Sequence, residues 1–475
     1  MTTDINPMRF GSGHAVRRIE DEGLLTGQGR YADDWMPANQ TYLCFLRSPY
    51  PHARIVSIDV TAARAMPGVL AVLTGADLVA AGIKPIPGVA GFVRADGSPG
   101  ATPPRRPLAH ERVRFGGEPV VAVVAQTLQQ ARDATEAIAV DYAELPMAVT
   151  VADAMAAGAP VFFDAAPDNI SAEMRHGDPV ATAAAFAGAK HVVALDVTNQ
   201  RVAALTLEPR TALASFDAAS GRVTIRLSTQ MPSSARDTIC DALGVPHDQM
   251  RVQVGDVGGG FGMKTGAYPE DVVLAYCART LRTTVKWVAE RSEEFLSSAH
   301  GRDVQTRAEL ALDERGKILA MRVVSLANVG AYATGVGVAI QLLIGPWVQT
   351  SVYDVQTIDF HYNAVLTNTA PTGAYRGAGR PEAIFITERL MDEAARQIGM
   401  DRVELRRRNF IRPEQMPYKN PMGQVYDTGK FEHVMDQGLA LADWDGFPAR
   451  AAESRAHGKL RGLGISTFLE WTGGN

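Results

Sequence analysis

Cysteine is scarce in this sequence: the 475 residues include three, Cys44, Cys240 and Cys277. They lie far apart, and no Cys-x-x-Cys pair occurs. This scarcity argues against a zinc ribbon, an iron–sulfur cluster or a framework of disulfides on this chain. Isolated cysteines suit a reducing compartment, so the sequence predicts a cytoplasmic protein.

A strong excess of charge and long apolar segments are lacking as well. The formal net charge of −5 argues against a nucleic-acid-binding surface. The segment nearest to a membrane span, around Gly335–Trp347, is short and interrupted by glycine and proline, so no span is expected. Arg17-Arg18 resembles a twin-arginine signal, but acidic residues follow it instead of an apolar stretch. We therefore interpret this pair as surface or subunit-contact arginines.

The chain is long enough for two large domains. Before residue 150, short runs predict a small α/β unit with strands at Thr41–Arg47 and Pro119–Ala125 and a Pro/Gly-rich loop over residues 80–107. Beyond residue 190, longer strands such as Ile318–Asn328, together with a strand at Arg251–Val257, alternate with helices such as Pro381–Ile398. The stretch between these regions is rich in Ala, Gly, Pro and Asp, which is typical of a boundary. We predict an N-terminal arm, a first domain, a linker and a second domain over residues 1–18, 19–150, 151–165 and 166–475.

A glycine cluster follows one predicted strand, where Asp256–Thr265 reads DVGGGFGMKT. Consecutive glycines leave backbone N–H groups unshielded and permit positive φ angles, so a ligand can approach the main chain closely. A phosphate loop would need glycine directly before the lysine, but Met263 stands there, and the GxGxxG dinucleotide pattern is absent. The simpler alternative is a tight strand-to-helix turn. Four glycines around a phenylalanine favour a ligand loop.

Two further segments precede predicted helices. In Thr369–Glu382 (TAPTGAYRGAGRPE), arginines and glycines stand directly before the helix that starts near Pro381. Such arginines suit an anion such as phosphate, although a capped helix start with solvated arginines fits equally well. Gln230 ends a strand before a helix predicted from Ser233. Its amide would either donate a hydrogen bond to a ligand or cap the helix, and on Gln230 alone the cap is the better interpretation.

The histidines and serines offer no further centre. The histidines considered lie on separate elements, so their spacing predicts no metal site; they are His52, His110, His191, His300 and His361. The sequence contains no Gly-x-Ser-x-Gly, so a nucleophile elbow is not expected.

Taken together, these motifs resemble the large, molybdopterin-binding subunit of the xanthine dehydrogenase, aldehyde oxidase and carbon monoxide dehydrogenase family. Further segments carry the resemblance along essentially the whole chain, and their combination in this order is highly specific. They are LLTGQGRYADD from Leu24, RSPYPHARI from Arg47, PGVLAVLTG from Pro67, GGEPV from Gly116 and Glu208-Pro209-Arg210.

The resemblance implies an α+β fold, with an N-terminal α/β hammerhead domain followed by the first half of a molybdenum-cofactor-binding domain. It implies a molybdenum–pterin cofactor, expected as molybdopterin cytosine dinucleotide. The implied reaction is the oxidation of an aldehyde or an N-heteroaromatic compound, a small-molecule substrate. Electrons would leave through 2Fe–2S clusters on an iron–sulfur small subunit and FAD on a medium subunit.

The resemblance also implies roles for individual residues. Gln230 matches a glutamine near an oxo ligand of molybdenum. Gly260, Phe261 and Gly262 match the loop that lies over the metal, and Arg376 matches an arginine beside the cofactor. No protein side chain is expected to bind the metal directly.

Four positions are expected to line the substrate pocket: Met263, Thr265, Gly377 and Ala378. Gly377 replaces the copper-binding cysteine of carbon monoxide dehydrogenases, so oxidation of CO is not expected. Thr265 replaces a glutamate that binds purines, and Ala378 replaces an aromatic residue that clamps them. These replacements argue against purine hydroxylation.

The chain stops where the family's second cofactor domain, which contains the catalytic glutamate, would begin. No residue here is therefore assigned as the catalytic base, and we expect the isolated chain to be inactive. A further chain or segment would supply that half of a truncated or split subunit. Two alternatives remain open: a non-catalytic cofactor-binding protein, and a nucleotide-binding protein that uses Gly258–Gly262.

Overall fold

The computed structural model describes residues 17–88, 91–334 and 336–470. The strands are β1 (Thr41–Arg47), β2 (Ala53–Asp59), β3 (Val69–Thr74), β4 (Arg112–Val113), β5 (Pro119–Ala125), β6 (Ala139–Glu144), β7 (Ile170–Gly177), β8 (His191–Asn199), β9 (Val202–Ala203), β10 (Thr211–Asp217), β11 (Arg222–Leu227), β12 (Met250–Gln253), β13 (Val285–Val288), β14 (His300–Gly301), β15 (Val304–Leu312), β16 (Ile318–Gly330), β17 (Ile358–Leu366), β18 (Tyr418–Lys419) and β19 (Val425–Tyr426). The helices are α1 (Asp21–Leu25), α2 (Thr61–Ala65), α3 (Gly75–Ala80), α4 (Leu128–Glu136), α5 (Val151–Ala154), α6 (Pro179–Gly188), α7 (Pro232–Leu243), α8 (Pro269–Leu281), α9 (Arg291–Ser297), α10 (Gly337–Ala339), α11 (Arg380–Ile398), α12 (Arg402–Asn409), α13 (Phe431–Leu441) and α14 (Phe447–Ala456).

A seven-stranded sheet combines three strands from residues 41–125 with four strands from residues 211–288. Its strand order is β12-β11-β10-β13-β1-β5-β3. Strand β1 pairs in parallel with β13, with Thr41 opposite Val285. Strand β5 reads PVVAVVA and is buried along its whole length. Its alternate side chains contribute to different cores, since Val124 belongs to the core with α7 and α8 while Val123 belongs to the core with α4. A strand covered on both faces is expected to be uniformly apolar.

A five-stranded sheet, in the order β7-β17-β16-β15-β8, forms the centre of the second half. Helix α11 packs on this sheet against β8 and β15. Their shared core includes Leu310, Phe360 and Met391. The hairpin between β15 and β16 turns at Asp313, whose carboxylate accepts hydrogen bonds from the backbone N–H groups of Arg315 and Lys317.

The topology places two candidate segments at one edge of the seven-stranded sheet. Strands β11 and β12 are parallel neighbours, with Val223 opposite Met250. The carboxyl ends of parallel strands lie at the same edge, where ligands of open α/β sheets commonly bind. Gln230 follows the end of β11, and the glycine cluster follows the end of β12. Two segments separated in sequence therefore meet.

The expected α+β fold class is confirmed, and the predicted strands and helices are present with shifts of a few residues. The strand predicted at Arg251–Val257 is wrong at its end, because pairing with β11 stops at Gln253. The Ala-rich composition of residues 150–190 concealed β7 and α6. Most of the predicted N-terminal arm lies outside the described residues, and the domain limits stay a prediction. In the part of the chain that the structure describes, no helix is both long and apolar enough to cross a membrane.

Candidate functional site

The glycine loop, defined as Gly258–Gly262, has an unusual backbone. Gly259, Phe261 and Gly262 have φ angles of 100°, 51° and 91°, a region that residues other than glycine rarely adopt. A Cβ added at Gly262 would lie 2.7 Å from the carbonyl oxygen of Ala374. A Cβ added at Gly260 would lie 2.5 Å from Oε1 of Gln230 and would displace that amide. The glycines therefore permit two other segments to approach the loop closely.

Gln230 is oriented by the glycine loop. The backbone N–H of Gly262 donates to Gln230 Oε1 at 2.8 Å, and the backbone N–H of Gln230 donates to the carbonyl oxygen of Lys264 at 2.8 Å. Helix α7 begins at Pro232 without a side-chain cap, so the interpretation of Gln230 as a helix cap is wrong. Because its amide oxygen is occupied, the exposed side chain has Nε2 left to donate a hydrogen bond.

A second loop, the arginine loop (Gly373–Gly379), packs against the first. The backbone N–H of Arg376 donates to the carbonyl oxygen of Phe261 at 2.9 Å. Gly377 and Ala378 have φ angles of 94° and 48°. The guanidinium group of Arg376 is exposed and has no hydrogen-bond or ion-pair partner among the described residues. Helix α11 starts at Arg380, directly after the loop.

The two loops together present hydrogen-bond donors without acceptors. Within the described parts of the chain, the backbone N–H groups of Gly259, Gly260 and Phe261 have no acceptor, and neither has Nε2 of Gln230. Arg376 adds a positive charge. Successive N–H groups on a backbone of this kind form a concave binding surface for anions. The site therefore suits a ligand with several oxygen atoms and negative charge.

The lysine of the glycine-rich motif is not available to such a ligand. Lys264 is 1% exposed, and its Nζ donates to Glu208 Oε2 at 3.0 Å and to Ser228 Oγ at 2.7 Å. Burial lowers the pKa of Lys264, while the Glu208 carboxylate acts in the opposite direction. A nucleotide-binding loop would need this ammonium at the phosphates. Its burial argues against the nucleotide-binding alternative.

Two of the residues expected in the substrate pocket, Gly377 and Ala378, lie in the arginine loop, whereas Met263 and Thr265 follow the glycine loop. Met263 is 1% exposed, and its carbonyl oxygen accepts a hydrogen bond from Tyr268 Oη at 2.6 Å. Thr265 Oγ1 donates to the carbonyl oxygen of Gly262 at 2.8 Å. The roles of Met263, Thr265, Gly377 and Ala378 in a substrate pocket stay predictions.

Sequence reasoning missed the support of the arginine loop by Arg302. Its guanidinium group donates to the carbonyl oxygens of Tyr375 and Arg376 at 3.2 and 2.8 Å. Arg302 Nη1 also lies 3.2 Å from Oε2 of the buried Glu382, whose pKa is raised by burial. The same close approach explains the preceding glycine, because a Cβ added at Gly301 would lie 2.3 Å from Cβ of Tyr375.

The described residues contain no group of three or more His, Cys, Asp or Glu side chains placed to hold a metal ion. The expectation that no side chain binds the metal directly stays a prediction.

Comparisons with known proteins extend this description. Residues 162–410 match the family model of the molybdopterin cofactor-binding domain. Residues 26–146 match the model of the aldehyde oxidase and xanthine dehydrogenase a/b hammerhead domain. These matches confirm the expected family and the order of its two structural units.

The chain is similar to two curated large subunits and one solved structure. It is 35% identical to the nicotine 6-hydroxylase large subunit of Paenarthrobacter nicotinovorans, over 97% of this chain and 56% of the relative. It is 34% identical to the carbon monoxide dehydrogenase large chain of Hydrogenophaga pseudoflava, over 96% of this chain and 57% of the relative. Quinoline 2-oxidoreductase from Pseudomonas putida 86 superposes with a TM-score of 0.85 and 34% identity, over 93% of this chain and 56% of that one.

The chain thus spans a little more than half the length of the relatives it matches. Within that span the glycine loop, Gln230 and the arginine loop meet in one site, in a fold shared with these relatives. The family model covers more than half of the residues. This chain belongs to the family of molybdopterin-binding large subunits of xanthine dehydrogenase, aldehyde oxidase and carbon monoxide dehydrogenase.

Proposed function

We propose that the chain binds the molybdenum–pterin cofactor of a molybdenum hydroxylase through Gln230, the glycine loop and Arg376. The observation that carries this proposal is the group of donors without acceptors: the Gln230 amide, the loop N–H groups and the Arg376 guanidinium. An oxo-bearing metal on a phosphorylated pterin has the oxygen atoms and the negative charge that these donors require. The cytosine dinucleotide form is proposed on the family resemblance.

The residues of this chain would bind and orient the group. When bound, the cofactor supplies the redox-active metal at which the substrate is oxidised. Gln230 donates from Nε2, because its Oε1 already accepts from Gly262. Arg376 supplies a cation that has no partner among the described residues, and Phe261, whose side chain is exposed, presents an aromatic surface beside the loop N–H groups. Donors fixed before binding cost little reorganisation when charge develops.

We further propose an aldehyde or an N-heteroaromatic compound as the substrate. Two of the similar proteins have names that refer to nitrogen heterocycles, nicotine and quinoline. Thr265 and Ala378 replace the residues that the family resemblance connects with purines. The replacement of both leaves a differently lined pocket for another electron-poor ring or carbonyl carbon.

Copper is not part of the proposed site. Gly377 stands where a thiolate would be needed to bind Cu(I). A Cβ added at Gly377 would lie 2.3 Å from Cγ of Pro381, and the φ angle of 94° disfavours any side chain. We expect molybdenum without stoichiometric copper in the purified complex, measured by elemental analysis. Copper equal to molybdenum, or dye reduction that depends on CO, would contradict this proposal.

The proposed partners are an iron–sulfur small subunit with 2Fe–2S clusters, an FAD-binding medium subunit and a chain or segment that supplies the second cofactor domain. The comparison supports an assembly, because one relative with 31% identity is named as subunit gamma of a dehydrogenase complex. The catalytic base would come from the second cofactor domain. Co-purification with tagged candidate subunits, followed by iron and flavin analysis, tests this assembly.

Cofactor binding is tested by measuring molybdenum and released pterin after expression in a host that makes the cofactor. The full chain, together with its partner subunits, is expected to contain about one molybdenum atom. Arg376→Ala should lose most of it, while the control Arg396→Ala, on the exposed face of α11, should retain it. Absence of molybdenum from the complete assembly, or equal retention by both variants, would contradict the proposed site.

A further inference from the structure

Glu208 belongs to a motif that the proposed function does not use, yet its carboxylate lies behind the glycine loop. Oε2 accepts hydrogen bonds from Ser228 Oγ at 2.6 Å, Gly258 N at 2.9 Å and Lys264 Nζ at 3.0 Å. Oε1 accepts from the backbone N–H of Ala32 at 3.3 Å. One carboxylate therefore connects the N-terminal segment, the residue after β11 and both ends of the glycine-rich motif.

The backbone of Glu208 is also joined to the loop. Its N–H donates to the carbonyl oxygen of Gly258 at 3.2 Å. A Cβ added at Gly258 would lie 2.4 Å from the Cβ of Glu208, so the two backbones are as close as glycine permits. The first residue of the glycine loop is thus fixed by the side chain and the main chain of Glu208.

The contact reaches Gln230 through Lys264. The ammonium group of Lys264 donates to the Glu208 carboxylate, and the carbonyl oxygen of Lys264 accepts from the backbone N–H of Gln230. The same carbonyl oxygen accepts from Thr229 Oγ1 at 2.9 Å. Two hydrogen bonds therefore connect Glu208 to the backbone of Gln230, whose side-chain amide is proposed to donate to the cofactor.

We propose that Glu208 is a positioning residue: it fixes the glycine loop and, through Lys264, the Gln230 amide in the arrangement that receives the cofactor. The part that concerns the cofactor rests on the proposed function, whereas the ordering of the loop is a property of the chain by itself. Glu208 is 8% exposed at its side chain and donates nothing to the site.

The electrostatic reason is the burial of the Lys264 ammonium, whose side chain is 0% exposed. Removing one partner of a buried pair leaves the other charge uncompensated, which is strongly destabilising. Glu208→Gln keeps the shape of the side chain and an oxygen that can accept from Gly258, but removes the negative charge. The loop should then open, because the buried ammonium has lost the carboxylate that compensates its charge. Adding Lys264→Met removes the uncompensated charge and should restore the loop.

The test is hydrogen–deuterium exchange of the peptide that contains the glycine loop, measured on the full chain without cofactor. Molybdenum content is measured in parallel on the assembled protein. A matched control is Glu388→Gln, because the Glu388–Arg406 pair is equally buried, with a distance of 2.9 Å against 3.0 Å for Glu208–Lys264. Its hydrogen bonds reach Tyr353, Arg406 and Thr467 and not the loop.

We expect E208Q to raise exchange in the loop peptide by about tenfold or more, E388Q to leave it unchanged, and E208Q/K264M to return it towards the wild-type rate. Molybdenum content should fall in E208Q and recover in the double variant. Unchanged loop exchange in E208Q, or an equal rise in E388Q, would overturn the proposal. If E208Q does not fold, Ser228→Ala removes one of the carboxylate's neutral donors, and an unchanged loop in that variant would overturn the proposal as well. Absence of molybdenum from every protein would contradict the proposed function but not the exchange result.

Discussion

The two loops that meet at the site are each supported from behind by a buried ion pair, but with opposite polarity. At the glycine loop the carboxylate of Glu208 accepts a backbone N–H, that of Gly258. At the arginine loop the guanidinium group of Arg302 donates to two backbone carbonyls. One member of each pair thus satisfies backbone polar groups of its loop. The N–H groups of Gly259–Phe261, by contrast, have no acceptor among the described residues.

The two ion pairs also differ in whether the contact between their charged groups has hydrogen-bond geometry. Glu208 and Lys264 form a hydrogen-bonded ion pair at 3.0 Å, and Ser228 donates to the same carboxylate oxygen. Arg302 and Glu382 lie within ion-pair distance at 3.2 Å, but Glu382 Oε2 has no contact with hydrogen-bond geometry among the described residues. Burial raises the pKa of Glu382 accordingly. The glycine loop therefore depends on its carboxylate more than the arginine loop does.

The largest expected effect follows from this difference. Glu208→Gln should lower the free energy of unfolding by about 3–5 kcal/mol, because it leaves a buried cation without its partner. Glu382→Gln should cost about 1 kcal/mol or less, because a contact without hydrogen-bond geometry contributes little. Chemical denaturation of the two variants beside the wild type measures both values. Equal costs would show that the two supports are equivalent.

Part of this arrangement could be predicted from the sequence. Gln230, the glycine loop and Arg376 lie in local motifs, where a run of glycines or a strand-to-helix junction is visible in a few residues. The support of these motifs could not be predicted in the same way, because it depends on distant pairs. Glu208 and Lys264 are 56 positions apart, and no local pattern indicates which carboxylate meets which ammonium.

The fold shows the same limit. Strand β5 was recognisable because all seven of its positions are apolar or small and buried. Strand β7 reads ISAEMRHG and is buried only in its first three positions. Its pairing with β17 is set by the neighbouring strand rather than by its own alternation. The composition of this segment alone predicted no strand there.

The contact between the loops gives the next prediction. Gly262→Ala should destabilise the chain by about 1–3 kcal/mol more than Gly266→Ala, because the new methyl group would press on the carbonyl of Ala374. Both glycines have positive φ, 91° and 75°, but the space around Gly266 is open. The difference between these variants in thermal unfolding and molybdenum retention isolates the steric contact. Identical behaviour would mean that only the φ angle matters.

The two loops should also respond oppositely to pH. Burial lowers the pKa of Lys264 from its ordinary value of 10.5, so the unfolded chain binds more protons and stability rises with pH towards 10.5. Burial raises the pKa of Glu382 from its ordinary value of 4.5, so the folded chain binds more protons and stability falls as pH rises above 4.5. Each slope is at most about 1.4 kcal/mol per pH unit.

Lys264→Met should flatten the alkaline part of the profile, and Glu382→Gln should flatten the acidic part. The measurement is the free energy of unfolding by denaturant at a series of pH values. Profiles that run parallel to the wild type in both variants would show that neither group titrates differently on folding.

A small effect on stability, comparable to that of Glu382→Gln, is expected at Gln230, where the two loops and the proposed cofactor meet. Gln230→Ala removes one hydrogen bond, to Gly262, and should cost about 0.5–1.5 kcal/mol of stability without unfolding the chain. Its effect on turnover of the complete, molybdenum-loaded enzyme should be larger, a few kcal/mol in the activation free energy, because a donor aimed at a charged oxygen acts where charge develops. Gln397→Ala, whose amide donates to Glu393 on the exposed face of α11, is the control. Unchanged turnover in Gln230→Ala with full molybdenum would show that this amide orders the glycine loop and does nothing for the reaction.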